Sequence, residues 1–191
     1  MIIAITGGIG SGKSVVSQVL RVAGYPVYDC DSNAKLIMDK DEEMQKQLAD
    51  SFGSDVVVNG VIQRKVLASL VFADRNKLEK LNAIVHPAVR RDIKRWEETQ
   101  KSDVVFVETA ILKESGVDSL IDTAWIVTAP DDVRIARVMA RNNMPEASVR
   151  ERIESQRKTL NLGLPTFTIK NYGRHSVLNQ VDELLRKTIN N

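Results

Sequence analysis

Residues 7–14 read GGIGSGKS and fit the phosphate-loop pattern G-x-x-x-x-G-K-[ST] at every fixed position. An apolar run of buried-strand type, Ile2–Thr6, precedes them. Residues 14–23 follow, with apolar side chains at roughly helical spacing. Strand, glycine-rich turn and helix therefore come in the order that the pattern requires. The segment predicts a binding site for a nucleoside triphosphate.

The residue types in this loop explain how it would bind phosphate. Glycines let backbone N–H groups approach the phosphates without obstruction by a Cβ atom, and the helix N-terminus adds partial positive charge. We expect Lys13 to reach the β- and γ-phosphates and the Ser14 hydroxyl to ligate Mg²⁺. A glycine-rich turn without chemical meaning would leave the lysine and the serine unexplained. The expected ATP-binding residues of the loop are Gly8, Ile9, Gly10, Ser11, Gly12, Lys13, Ser14 and Val15.

Composition limits the class of protein. The 191 residues fit one globular domain with room for an inserted subdomain, and the net charge of +2 argues against a general nucleic-acid binder. No apolar run approaches the length of a membrane span, and no secretory leader is recognisable, so we expect a cytoplasmic protein without a membrane partner. Cys30 is the only cysteine, which excludes an internal disulfide and a multi-cysteine metal site.

The order of the predicted elements indicates an α/β fold. Apolar runs typical of strands recur at 26–29, 104–107 and 124–128, and a weaker one lies at 167–169. We expect a three-layer fold like that of P-loop nucleoside triphosphate hydrolases, with a mainly parallel sheet of about five strands in a single kinase domain over residues 1–191. Between the second and third strands, a helical insertion over about 32–101 is expected to carry specificity. The helices predicted there are Ser32–Phe52, Arg64–Phe72, Arg75–Val85 and Pro87–Gln100, and a last helix is predicted over Val177–Ile189.

Two aspartates follow the second predicted strand. In open α/β sheets the ligand lies at the carboxyl ends of the strands, so Asp29 and Asp31 are expected near the transferred phosphate. Phosphoryl transfer to a hydroxyl commonly uses an aspartate that accepts the hydroxyl proton, and Asp31 is our candidate. Capping of the following helix is an alternative, above all for Asp29. Asp29 is also a candidate to hold Mg²⁺ through water.

A basic segment over residues 134–158 is the second anion-binding candidate. It contains seven basic residues against three acidic ones, and Arg134, Arg137 and Arg141 recur at the spacing of one helical face. Their guanidinium groups suit phosphate oxygens, so we expect a lid here, with Arg137 and Arg141 in catalysis and ATP binding. A solvated helical face is the alternative. The charged residues counted are Arg134, Arg137, Arg141, Arg150, Arg152, Arg157, Lys158, Glu146, Glu151 and Glu154.

Several separated segments together resemble the dephospho-coenzyme A kinase family, over nearly the whole chain. The opening segment 6–14 is similar to that of the family, as are Asp29-Cys30-Asp31 with Ala34 and the segment 81–87, which ends in His86-Pro87. Further on, Arg137 and Arg141, Arg152 with Gln156, and Ile169-Lys170-Asn171-Tyr172-Gly173 resemble the lid, the next helix and an I-x-N-x-G segment of the family.

The resemblance implies a kinase that uses Mg²⁺ and ATP and phosphorylates dephospho-coenzyme A. By resemblance Asp31 is the base, Asn171 and Gly173 contact ATP, and the inserted helices hold the acceptor. The residues expected at the acceptor are Thr6, Asp29, Asp31, His86 and Gln156. On the residues alone, a hydrogen bond from His86 to backbone is the alternative to a substrate contact.

The chain departs from the family at one segment. Where the family commonly has P-L-L-F-E, residues 110–114 read AILKE, with Ala110 in place of proline and Lys113 in place of the aromatic residue. The residues that handle phosphate are unaffected by this departure.

Two other functions compete with this interpretation. A kinase for nucleosides, nucleotides or shikimate would use the same loop and lid. A GTP-binding switch is indicated weakly by Asp50–Gly53, which fits D-x-x-G, and by Asn76–Glu79, which approaches N-K-x-D.

Overall fold

The computed structural model describes residues 1–72, 74–157 and 162–189, without the side chains of Arg157 and Ile189. The chain forms two compact units. The first comprises Met1–Asp29 and Gln100–Asn191, and the second comprises Cys30–Thr99. The described part of the chain contains no helix that is long and apolar enough to cross a membrane.

A parallel sheet forms the centre of the first unit. Its five strands lie in the order β2-β5-β1-β6-β7, with every neighbouring pair parallel. All five residues of β1 are buried, as expected for a strand with neighbours on both sides and helices against the sheet. The predicted α/β fold with a parallel sheet of about five strands is confirmed. The strands are β1 (Ile2–Thr6), β2 (Val27–Asp29), β5 (Val105–Glu108), β6 (Thr123–Thr128) and β7 (Thr166–Lys170).

Helices of the first unit pack in two places. Helices α1 (Lys13–Val22) and α8 (Val177–Ile189) bury their apolar faces against the sheet, in a cluster that includes Ile5, Phe106 and Trp125. Helices α6 (Asp131–Asn142) and α7 (Glu146–Arg157) share a smaller cluster. That second cluster consists of the buried residues Ile135, Val138, Val149 and Ile153. Burial of these side chains fixes the helices that carry the predicted lid arginines.

The second unit is mainly helical. It contains α2 (Cys30–Lys40), α3 (Glu42–Phe52), α4 (Arg64–Phe72) and α5 (Arg75–Glu98). A short hairpin of β3 (Val57–Val58) and β4 (Val61–Ile62) lies between α3 and α4. Asn59 and Gly60 form its turn, as predicted, and both have positive φ.

The helix boundaries in the second unit differ from the prediction. The single helix expected over Ser32–Phe52 is wrong, because the Asp41 side chain accepts a hydrogen bond from Met44 N at 2.9 Å and caps a separate helix. Helix α2 also begins at Cys30, so Asp31 lies in its first turn.

The prediction of two helices on either side of Pro87 is wrong as well. Helix α5 runs through Pro87 without a break. Proline forfeits one hydrogen bond inside a helix, and buried residues on both sides of it, Val85 and Ile93 among them, hold α5 in place. His86 therefore lies in the middle of a helix and not at a helix start.

Candidate active site

The phosphate loop leaves the central strand of the sheet and enters α1. Residues 7–12 connect β1 to α1, and β1 lies between β5 and β6, so the loop stands at the carboxyl edge of the sheet. Within the loop, Ser11 N donates to Gly8 O at 3.2 Å and Val15 N donates to Gly12 O at 3.0 Å. Lys13 Nζ donates to Gly7 O at 2.9 Å, which brings the ammonium group back over the start of the loop.

Two arginines of α6 bind carbonyl groups of this loop. Arg134 Nε donates to Ile9 O at 2.9 Å. Arg137 Nη1 lies 3.3 Å from Gly10 O and 3.4 Å from Ser11 O. The two side chains are one helical turn apart and face the same loop, so α6 and the phosphate loop are directly connected.

The third arginine of the predicted face does not join them. Arg141 is exposed, and its Nε donates to Asn142 Oδ1 at 2.9 Å. The structure thus brings Arg134 and Arg137 to the loop, whereas Arg141 lies at the far end of α6. Arg134 belonged to the predicted arginine face but was not among the predicted site residues. Its position one helical turn before Arg137 is a sequence signal that would have placed it in the site.

Asn171 connects the loop to the last strand. Its Nδ2 donates to Ser11 O at 2.9 Å, and its backbone N donates to Thr128 O at 2.9 Å. Its own carbonyl accepts from Arg137 Nη2 at 2.9 Å. The Asn171 amide also fills the space that a side chain at Gly12 would need. Gly173, the other residue predicted here, is exposed two positions farther along the chain.

Gln156 binds the loop from α7. Its Oε1 accepts a hydrogen bond from Ile9 N at 2.7 Å. Gln156 also lines a small cavity beside the loop together with Thr6 and Gly8, and Ala110 lies in the same wall. The departure from the family pattern at Ala110 therefore faces the phosphate loop, whereas Lys113 is exposed.

Two carboxylates stand at the carboxyl edge of the sheet. Asp29 ends β2 and pairs in register with Glu108 of β5, which pairs in turn with Ile5 of β1. Paired positions on neighbouring strands project to the same face, so both carboxylates share the face on which Ile5 lies. Our sequence prediction ended the strand at Val107 and missed Glu108, which extension of the strand by one residue would have found.

Oxygen ligands suited to Mg²⁺ are present in the first unit. The Ser14 side chain is exposed in the first turn of α1, where a phosphate-bound cation would lie. Carboxylates at the strand ends are suited to bind such a cation through water. Among the described residues no group of three or more His, Cys, Asp or Glu side chains could hold a metal ion.

The other predicted site residues belong to the second unit. Asp31 is exposed in the first turn of α2, and His86 is half-buried in α5. Two segments suggested a GTP-binding switch. Asp50–Gly53 is the end of α3 with Gly53 as its C-cap, and Asn76–Glu79 is part of α5. Both segments are helical, whereas a GTP-binding switch protein would need loops that contact the guanine base at the nucleotide.

Comparison with known proteins identifies the family. The sequence profile of dephospho-CoA kinase matches residues 1–175. A dephospho-CoA kinase of Porphyromonas gingivalis is 42% identical over 183 residues, which are 96% of this chain and 88% of that protein. The chain belongs to the dephospho-CoA kinase family. The GTP-binding switch is therefore excluded as its class.

Solved structures share the fold of this chain. A Thermus thermophilus crystal structure is 34% identical, has a TM-score of 0.78, and the match covers 100% of this chain and 96% of the other. The dephospho-CoA kinase of Campylobacter jejuni has a TM-score of 0.71 at 21% identity, with 97% and 96% of the two chains covered. The second likeness shows that the fold is shared.

Proposed function

We propose that this member of the dephospho-CoA kinase family transfers the γ-phosphoryl group of ATP to the ribose 3′-hydroxyl of dephospho-CoA. The products are CoA and ADP, and the reaction is the last step of coenzyme A biosynthesis. The observation that carries the proposal is the family match over residues 1–175, on a chain whose phosphate loop is complete from Gly7 to Ser14.

On the ATP side, the proposal assigns the phosphates to the loop and to α6. Backbone N–H groups of the loop, that of Gly10 among them, and the N-terminus of α1 would hold the β- and γ-phosphates. Lys13 Nζ, which donates to Gly7 O, would exchange that carbonyl for phosphate oxygens. Arg137, half-buried against the loop, would contribute a second positive charge. Such fixed charges stabilise the negative charge of the transferring phosphoryl group.

Mg²⁺ belongs to the proposal as the cation that accompanies ATP. The Ser14 hydroxyl would ligate it, with Asp29 and Glu108 as candidates through water. When bound, the cation neutralises charge on the β- and γ-phosphates. The protein's own contribution there is to present these oxygens at the edge of the sheet.

On the acceptor side, we assign proton transfer to Asp31. A carboxylate that accepts the 3′-hydroxyl proton allows the oxygen to attack phosphorus without forming a free alkoxide. We assign the binding of dephospho-CoA to the inserted helices with His86, and we assign further acceptor contacts to Thr6 and Gln156. The resemblance to the family supports these roles.

The segment 134–158 would close over the triphosphate. Helices α6 and α7 share their own apolar cluster and both contact the phosphate loop, so they are suited to move together as a lid. Exclusion of water would favour transfer to the acceptor over hydrolysis of ATP. Lys158, the last residue of this predicted segment, lies outside the described residues.

Mass spectrometry of the product tests the proposed reaction. The protein is incubated with Mg²⁺, ATP and dephospho-CoA, and we expect conversion to CoA with one phosphate on the 3′-oxygen. Parallel reactions with a nucleoside and with shikimate test the other small-molecule kinases. Faster turnover of either than of dephospho-CoA would overturn the choice of acceptor. The Lys13→Ala variant, purified in the same way, is the control for a contaminating kinase.

A further inference from the structure

We infer that Arg134 is a positioning residue for ATP, which holds the peptide between Ile9 and Gly10 so that the Gly10 N–H faces the phosphates. This inference rests on the proposed use of ATP and adds a residue to that site. Arg134 acts in it through the backbone of the loop, without touching the reacting atoms.

The guanidinium group of Arg134 is fixed at both ends. Its side chain is only 12% exposed, and Nη1 donates to Asp131 Oδ1 at 3.0 Å within α6. Its Nε donates to Ile9 O at 2.9 Å. A nearly buried cation with a carboxylate on one nitrogen and a loop carbonyl on another has one geometry, and both bonds are charge-assisted.

Because the peptide bond is planar, this contact also fixes the direction in which the next N–H group points. In a trans peptide, the C=O of one residue and the N–H of the next point to opposite sides of the chain. Because the Arg134 guanidinium holds Ile9 O, the Gly10 N–H points away from that guanidinium. Arg137 holds Gly10 O and Ser11 O in the same way. The N–H group that follows Gly10 O, that of Ser11, donates to Gly8 O, and the one that follows Ser11 O is that of Gly12. Preorganised N–H groups of this kind bind anions without a cost of reorientation.

Close packing places the loop backbone directly against Arg134. A Cβ atom on Gly10 would lie 2.6 Å from Arg134 O and 3.0 Å from Arg134 Cα. A Cβ atom on Gly8 would collide with Arg134 Nη2. The loop backbone thus contacts Arg134 directly. We therefore expect a substitution of this side chain to change the orientation of the loop peptides.

Nucleotide titration of two Arg134 variants tests the inference. Arg134→Met keeps the aliphatic stem and removes the donors, whereas Arg134→Lys keeps the positive charge but not the two-sided fork. Binding of ATP, ADP and AMP is measured by calorimetry, and the KM of each kinase substrate is measured separately. Arg186→Met is the matched control, because Arg186 is 74% exposed in α8 and pairs across one helical turn with Asp182.

We expect Arg134→Met to raise the Kd of ATP and of ADP by roughly 10-fold or more, as for loss of a hydrogen bond to a charged group. The Kd of AMP and the KM of the acceptor should stay within about twofold, because the loop N–H groups serve the β- and γ-phosphates. Arg134→Lys should resemble Arg134→Met, since charge alone does not orient the peptide. Arg186→Met should bind all three nucleotides as the wild type does.

Two results would overturn the inference. Equal weakening of ATP and AMP would assign Arg134 a role in general stability, and full ATP affinity in Arg134→Lys would assign it a role as a charge. Should Arg134→Met fail to fold, Asp131→Asn keeps the guanidinium and loosens it, and it should weaken ATP and ADP by a few-fold and leave AMP unaffected. Because the titrations contain no acceptor, failure of dephospho-CoA as substrate would leave their outcome interpretable.

Discussion

The two units of the molecule differ in how their proposed functional groups are held. In the first unit, side chains from three other segments bind the phosphate loop: Arg134 and Arg137 from α6, Gln156 from α7 and Asn171 after β7. In the second unit, Asp31 is exposed in the first turn of α2. Under the proposed function, ATP binding rests on this network of hydrogen bonds, whereas we assign proton transfer to the carboxylate of Asp31. Each change below tests one side of this comparison.

Replacement of Asp31 should have the largest effect. Asp31→Asn keeps the size of the side chain but cannot accept a proton, so kcat should fall by roughly 10²–10⁴-fold, the contribution of a positioned base. ATP affinity, measured by calorimetry, should change little, because the ATP network belongs to the other unit. Asp29→Asn is the control and should be milder. A silent Asp31→Asn beside a damaging Asp29→Asn would exchange the two roles.

Loss of the Lys13 ammonium should come next. Lys13→Ala removes a charge that we place on the β- and γ-phosphates, so turnover should fall by ~10²–10³-fold, as for one electrostatic contact in a transition state. Steady-state kinetics with saturating dephospho-CoA measure this fall in turnover. Activity within a few-fold of the wild type would exclude this role for Lys13 and would place the stabilisation of charge elsewhere in the network.

Substitution of the arginines of α6 should have effects that depend on the position of each arginine. Arg137→Lys keeps the charge but loses the fork that reaches Gly10 O and Asn171 O, so kcat/KM for ATP should fall by roughly 10-fold. Arg141→Lys should cost only a few-fold unless the lid brings Arg141 to the triphosphate during the reaction. Equal, large losses in both variants would show that exposure in this structure does not predict the role of Arg141. Normal turnover in both variants would indicate that Arg137 and Arg141 belong to a solvated helical face.

Truncation of Asn171 should have the smallest effect. Asn171→Ala removes the hydrogen bond to Ser11 O, which corresponds to about 1 kcal/mol of unfolding free energy. ATP affinity should fall by a few-fold because the loop loses one of its supports, and the KM for dephospho-CoA should stay unchanged. Denaturant unfolding and calorimetry measure the two quantities. A change in the acceptor KM alone would break the separation between the units.

Sequence predicted the sheet unit better than the helical one, for physical reasons. The loop motif and the buried runs of β1, β5 and β6 carry local signals, and their parallel arrangement follows from the crossover connections. The boundary between α2 and α3 depended on Asp41 as a cap, a local signal that the sequence prediction missed. The continuity of α5 depended on packing around Pro87, which a single sequence does not display.

The site residues follow the same division. Lys13, Arg137, Asn171 and Gln156 could be named from motifs and resemblance, and all four make contacts at the phosphate loop. Glu108 needed the register of β5 against its neighbours, and the difference between Arg134 and Arg141 needed the position of α6 against the loop. Register and helix placement are properties of the assembled fold.

The central position of β1 has a consequence for the synthesis of the protein. This strand leaves the ribosome about a hundred residues before its two sheet neighbours, β5 and β6. While the Cys30–Thr99 unit is being synthesised, both edges of β1 lack their native neighbouring strands. Unpaired strand edges favour aggregation or chaperone binding. Closure of its long-range contacts is a late and slow event for the same reason. A nascent chain that ends before Thr128 therefore holds a complete phosphate-loop sequence without the sheet that would make it bind ATP.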